Sequence, residues 1–166
     1  LTETTSNVFG KYFNRSIDRL IAGIGGDEID YVPELLVTLG GPVVSKKVKA
    51  FLRENKPKAH WHINASNDSV DTYKSLSRII PLSPEKILKH LTGFEIESDY
   101  RDKWLEKDSL LQKVYNEFVQ EIDFCDLKVF ENVLNQIPKE SQLQLANSTV
   151  VRYSNLFDQP SQNKLH

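Results

Sequence analysis

The stretch LLVTLGGPVVSKKVKAFL, residues Leu35–Leu52, decides the fold. Its first five residues, Leu35–Leu39, are a continuous apolar run, which suits a strand covered on both faces, as in parallel sheets. Gly40 and Gly41 make a turn. Ser45 then supplies an N-cap hydroxyl, and Val44, Val48, Phe51 and Leu52 form the buried stripe of a helix. Pro57 follows the helix end. The next segment, Lys58–Ala65 (KAHWHINA), reads as a second strand. Strand, helix and strand within ~30 residues make a βαβ unit with a right-handed crossover.

Two lysines, Lys46 and Lys47, stand at the start of that helix. Their charge opposes the helix dipole, a repulsion most easily tolerated where an anion is expected, and free N–H groups at a helix start favour anions. Ligands of open α/β sheets bind at such strand ends. The segment LQLANSTVVRY, Leu143–Tyr153, repeats the design with Asn147, Ser148 and Arg152. Arg152 lies four residues after Ser148, on the same face of the first turn, and a guanidinium there can hold a carboxylate bidentately. Plainer readings stand beside these. Pro42–Lys58 carries six basic residues against one acidic, so Lys46 and Lys47 are also readable as solvated lysines, and Ser148 as a simple helix cap. Two cationic strand-to-helix turns together point to a small polyanionic ligand.

Elsewhere the pattern alternates. Thr4–Asn7 reads as a loop. Phe9–Gly23 has helical spacing through Phe13, Ile17, Leu20, Ile21 and Ile24, ended by Gly23, Gly25 and Gly26. Asn64–Asp71 is a polar loop, Val70–Ile80 a short helix or strand, Glu85–Leu91 a short helix, and Phe94–Asp99 an acidic linker. A long helix over Tyr100–Val119 presents Trp104, Leu111, Tyr115, Phe118 and Ile122 on one face. Asp126 caps another helix that buries Val129, Phe130, Val133, Leu134 and Ile137. Gln142–Ala146 alternates as a strand, Ser148 starts a last helix through Phe157, and Asp158–His166 is a loose polar tail. Glu95–Glu131 holds 11 acidic and 5 basic residues, read as a solvated helix face. The expected fold class is α/β, a three-layer αβα arrangement with a mainly parallel sheet on Leu35–Leu39, Lys58–Ile63 and Gln142–Ala146.

Composition narrows the function classes. With 39% hydrophobic and 27% charged residues in 166, this is an ordinary globular chain. A formal net charge of -2 argues against nucleic acid as the main partner. No apolar run approaches the ~20 residues of a membrane span. The single cysteine, Cys125, forbids an internal disulfide, and a reducing cytoplasm is the simplest compartment. No methionine occurs, even at position 1, and the opening LTETTSN reads as the tail of a strand and a loop, so an internal part of a larger protein is expected, with a short protein that has lost its initiator as the other reading. His60 and His62 flank Trp61 and point to one face of their strand; no companion cysteine or carboxylate spacing is evident, so sheet packing is favoured over zinc. Gly25-Gly26-Asp27-Glu28 is no phosphate-loop or dinucleotide fingerprint, Cys125 has acidic surroundings that disfavour a thiolate, and no Ser-His-Asp arrangement is legible.

In order, LTETTSN, LVTLGGPVVSKKVKAFL, HWHI and LANSTVVR resemble the 2-succinyl-5-enolpyruvyl-6-hydroxy-3-cyclohexene-1-carboxylate synthase family, thiamine diphosphate-dependent carboligases of menaquinone biosynthesis. The resemblance runs from Leu1 to about Phe157. It implies that residues 1–98 are the later part of a central α/β domain, and that 99–166 are a linker helix and the start of a C-terminal cofactor domain. It implies a transferase that decarboxylates 2-oxoglutarate and adds the succinyl unit to isochorismate, using thiamine diphosphate and Mg2+ in a full-length homo-oligomer. Lys46, Lys47, Ser148 and Arg152 would bind substrate carboxylates. Some family members carry Arg where this chain has Lys47; lysine keeps the charge but loses the fork. The family's activating glutamate precedes this region, and its Gly-Asp-Gly…Asn diphosphate motif follows it. The chain alone is therefore expected to be inactive and to hold no tightly bound cofactor. The other reading is a non-catalytic α/β module that binds an anion or packs subunits.

Overall fold

Leu35–Leu39 forms strand β1, and the chain turns immediately after it at Gly40, whose φ of +81° favours glycine. This computed structural model describes residues 1–68 and 70–157 and the backbone of Lys164 and Leu165. The chain divides into two compact units, Gly26–Tyr100 and Leu1–Gly25 with Arg101–His166. The first twenty-five residues thus share a unit with the C-terminal part, a grouping that sequence continuity did not suggest.

Within Gly26–Tyr100, β1 pairs in parallel with β2 (Ala59–Ile63), from Leu35 opposite Ala59 to Leu39 opposite Ile63. Strand β2 pairs in parallel with β3 (Arg78–Ile80). Helix α2 (Glu28–Tyr31) precedes the sheet, α3 (Lys46–Glu54) connects β1 to β2, and α4 (Pro84–Leu91) follows β3. The expected α/β class with a parallel sheet is what forms. Its third strand differs: Arg78–Ile80 takes the place assigned to Gln142–Ala146. Strand β1 is also less covered than its apolar run implied. It is an edge of this sheet, and Leu35 and Leu39 are 41% and 47% exposed. The central β2 carries the burial, at His60 and Ile63. Val48, Phe51 and Leu52 of α3 are buried as predicted, with Val44 half-buried.

The other unit holds α1 (Ile17–Ile24), α5 (Tyr100–Glu121, from Arg101 onward), α6 (Asp126–Gln136), α7 (Thr149–Ser154) and a parallel pair, β4 (Gln142–Leu143) with β5 (Lys164–Leu165). Apart from β5, the expected loose tail lies outside the described residues. Helix α1 is half as long as predicted. Gly10 adopts a φ of +152°, Phe13 N–H bonds back to Gly10 O, and helix geometry begins only after Ser16. Gly23 lies inside α1, not at its end. A Cβ there would meet the Leu111 methyls at 2.4 Å, so the glycine permits close packing of α1 on α5. On α5, Trp104 and Val119 are buried while Phe118 faces outward; on α6 only Leu134 is fully buried, and Val129 and Val133 are exposed.

Buried polar groups knit this unit together. Thr4 Oγ1 donates to Ser154 O at 3.0 Å and lies 2.8 Å from Asn155 Oδ1. Arg19 Nη2 pairs with Asp108 Oδ1 at 2.9 Å, and Asn14 Nδ2 donates to Asp108 Oδ2 at 3.1 Å. Arg15 Nη2 reaches Thr4 O, and its guanidinium covers the Phe9 ring at 4.0 Å. A short 3-10 turn at Thr4–Ser6, read from sequence as a loop, lies in this segment, and these contacts tie Thr4, Asn14 and Arg15 to the rest of the unit.

Candidate functional site

The start of α3 is built by Ser45. Its fully buried hydroxyl accepts the Val48 N–H at 3.0 Å, and Val48, Phe51 and Leu52 anchor the helix beneath. Lys46 and Lys47 are thereby held on the first turn, both exposed, with no acidic residue beside them on that turn. Lys49, a further lysine of the same basic segment, is half-buried, because it falls nearer the buried stripe.

Beside the C-terminal ends of β1 and β2 opens a cleft of about 450 Å³ lined by Thr38, Gly40, His60, His62, Asn64 and Asp68 among others. The Thr38 hydroxyl sits 2.9 Å from both His60 Nε2 and His62 Nδ1. One hydroxyl can donate to one imidazole and accept from the other, so both rings are satisfied when neutral. His60 Nδ1 lies 3.4 Å from Ser75 Oγ. Burial holds His60 below the usual imidazole range; the Asp71 carboxylate pulls it up and His62 adds to the lowering. The two histidines do share a strand face, but the bridging Thr38 was missed. Its signal was its register directly opposite His62. Among the described residues no group of three or more His, Cys, Asp or Glu side chains is placed to hold a metal ion.

Ser148 and Arg152 belong to the other unit. Ser148 is exposed with a φ of +91°, and its side chain makes no capping bond, contrary to the plain capping reading; its N–H is instead taken by Asn147 Oδ1 at 2.8 Å. Arg152 is half-buried on α7, its Nε buried without a hydrogen-bond partner. The site residues therefore fall into two pairs: Lys46 with Lys47 on α3, and Ser148 with Arg152 at α7. The buried Asn14, Arg15, Asp18 and Arg19 were not singled out from sequence. Their signal was a run of polar residues, Asn14-Arg15-Ser16, crossing what looked like an apolar helical stripe.

A parallel βαβ sheet with a cationic first turn on its crossover helix is a frame shared by many enzymes, and comparison narrows it. Residues 31–145 match the family model described as "Middle domain of thiamine pyrophosphate", and the chain belongs to that class. Over 163 residues, 95% of the chain, it is 41% identical to a 2-succinyl-5-enolpyruvyl-6-hydroxy-3-cyclohexene-1-carboxylate synthase of Flavobacterium johnsoniae. Synthases of the same name from Flavobacterium psychrophilum and Christiangramia forsetii are 38% and 34% identical over 95% and 100% of the chain. Within the thiamine class, the chain is a member of this synthase family. It spans 29% of the length of each of the two Flavobacterium relatives and 30% of the third. Among the described residues no helix is long and apolar enough to cross a membrane.

Proposed function

We propose that this chain supplies the substrate-orienting middle portion of a thiamine diphosphate-dependent carboligase that decarboxylates 2-oxoglutarate and joins the succinyl unit to isochorismate. The observation that carries this is 41% identity over 95% of the chain to a synthase named for that product, in a chain that also presents Lys46 and Lys47 on the first turn of α3 and Arg152 on the short helix α7. Lys46 and Lys47 attract and hold a carboxylate at the first turn of α3, where N–H groups add to the field. Arg152 holds a second carboxylate with charge-assisted hydrogen bonds, and Ser148 donates its free hydroxyl. Both substrates are dicarboxylates, which gives each pair a target.

Thiamine diphosphate, when bound, supplies the electron sink for decarboxylation. By the family resemblance, its diphosphate and Mg2+ are held by segments of a full-length synthase outside this chain. Orientation and charge are what remain for this chain to contribute. A homo-oligomer working in the cytoplasm completes the proposal.

The test on the 166-residue chain is an NMR titration with 2-oxoglutarate. Saturable shifts are expected at the amides of Lys46–Val48 and Thr149–Arg152, and a neutral diamide analogue should give none. Equal shifts with the neutral analogue, or none with the dianion, would contradict the reading. Calorimetry with thiamine diphosphate and Mg2+ should show no micromolar binding; micromolar binding would overturn the assignment of the cofactor site to other segments.

A further inference from the structure

A second cleft, of about 300 Å³, lies between α5 and α6 and plays no part in the proposed reaction. Gln112, Asn116 and Gln120 line it at spacings of four on α5, and Glu131 and Asn135 face them from α6 at the same spacing. Leu134 and Phe157, both nearly buried, form its apolar part. Gln112 Nε2 donates to Asn116 Oδ1 at 2.8 Å, which leaves Gln112 Oε1 buried with no hydrogen-bond partner. A buried carbonyl without a donor is destabilising, and native proteins keep few of them. Glu131 is half-buried beside it and pairs with no cation among the described residues. No lysine or arginine lines the cleft. The lining carboxamides offer both donors and acceptors, and Glu131 is the one charged side chain among the lining residues, so the net charge of the cleft is negative.

We infer that the cleft binds an organic cation, an amine or guanidinium, whose N–H groups bond Gln112 Oε1 and the Glu131 carboxylate while its stem lies on Leu134 and Phe157. Glu131 sets the sign of the ligand and rejects anions. The carboxamide oxygens supply further acceptors, and the Phe157 ring suits a cation or its alkyl stem. The acidic balance of Glu95–Glu131, 11 against 5, raises the local concentration of cations. The ligand is either a free polyamine or an arginine side chain of a polypeptide, and both present the same chemistry.

The experiment follows the side-chain amide resonances of Gln112 and Asn116 in the 166-residue chain during titration with spermidine in one arm and N-acetyl-arginine amide in the other. Saturable shifts are expected in at least one arm, and the tighter arm identifies the source. Glu131→Gln should weaken binding by about tenfold or more, the scale of a lost charged hydrogen bond. Glu117→Gln, on the exposed side of α5, should leave it unchanged. Gln112→Met should abolish binding while leaving the urea midpoint unchanged or higher, because it removes an unpaired buried acceptor. The inference is overturned if neither arm saturates, if Glu117→Gln weakens binding as much as Glu131→Gln, if Ca2+ gives the same shifts, or if Gln112→Met lowers the midpoint and keeps binding.

Discussion

Gly23→Ala tests the packing of α1 against α5 through the sign of its effect. In an exposed helix interior the change would stabilise by about 0.5–1 kcal/mol, because alanine loses less backbone entropy than glycine. Here the new Cβ would stand 2.4 Å from both Leu111 methyl carbons, well inside the ordinary contact of about 3.5–4.0 Å. Leu111 must withdraw by more than an ångström, and overpacking of that kind typically costs ~1–3 kcal/mol. The terms oppose, and the clash is the larger, so a net loss of ~0.5–2 kcal/mol is expected, or a few degrees in Tm. Urea unfolding of the single variants and of Gly23→Ala/Leu111→Ala makes the assay a cycle. With Leu111 trimmed, the same glycine substitution should become stabilising. If Gly23→Ala stabilises equally in both backgrounds, α1 does not pack on Leu111 as described.

Other consequences follow from the polar groups. A histidine held below its unfolded pKa binds fewer protons folded than unfolded, so His60 contributes stability that is full above about pH 6.5 and is lost as pH falls toward its folded value; the urea midpoint should drop from pH 7.5 to 5.5, less so in His60→Gln, and an identical pH dependence in the variant would contradict this. Asp108→Ala removes the half-buried carboxylate that bonds both Arg19 and Asn14 and should cost about 1.5–3 kcal/mol, the scale of a hydrogen bond to a charged group, whereas Glu85→Ala, which breaks the exposed pair with Lys89, should cost under about 1 kcal/mol; equal midpoints would refute the contrast. Ser45→Ala removes a buried N-cap and should cost about 1–2 kcal/mol in the same assay, while a loss below about 0.3 kcal/mol would mean the cap is not used.

Local signals were read where local chemistry decides. The run Leu35–Leu39 between Pro33 and Gly40, the Ser45 cap and the Val48, Phe51, Leu52 stripe all lie within about twenty residues; the strand, cap and stripe all formed, but the burial of the strand, which depends on its neighbours in the sheet, did not follow the apolar run. The failures have long-range causes. Phe9–Ser16 keeps helical spacing, yet the turn at Gly10 and the hydrogen bond from Asn14 to Asp108, far along the chain, accompany a path that becomes helical only after Ser16. Gln142–Ala146 alternates like a sheet strand, yet among the described residues just its first two, Gln142–Leu143, form a strand, paired with Lys164–Leu165. At the candidate site, the placement of Lys46 and Lys47 on a capped first turn was legible. The left-handed backbone of Ser148 was not, since an L-residue at that φ is uncommon and nothing in NSTVVR demands it. Lys49 shows the limit of reading charge runs. A lysine within a basic segment can still lie along the buried stripe, with its stem covered.

The central claim is that the cations on the first turn of α3 and on α7 hold substrate carboxylates. Its most direct test is steady-state kinetics, with 2-oxoglutarate and isochorismate, of a full-length synthase carrying this chain. Arg152→Ala and Lys46→Ala should each lower kcat/KM by roughly thirty- to several-thousand-fold, the equivalent of ~2–5 kcal/mol for a charge left unpaired. Lys56→Ala, an exposed lysine beyond the end of α3, should change it by less than about threefold and serves as the control. If Arg152→Ala and Lys46→Ala fold normally and behave like Lys56→Ala, the two pairs are solvated surface and the account of the site is wrong.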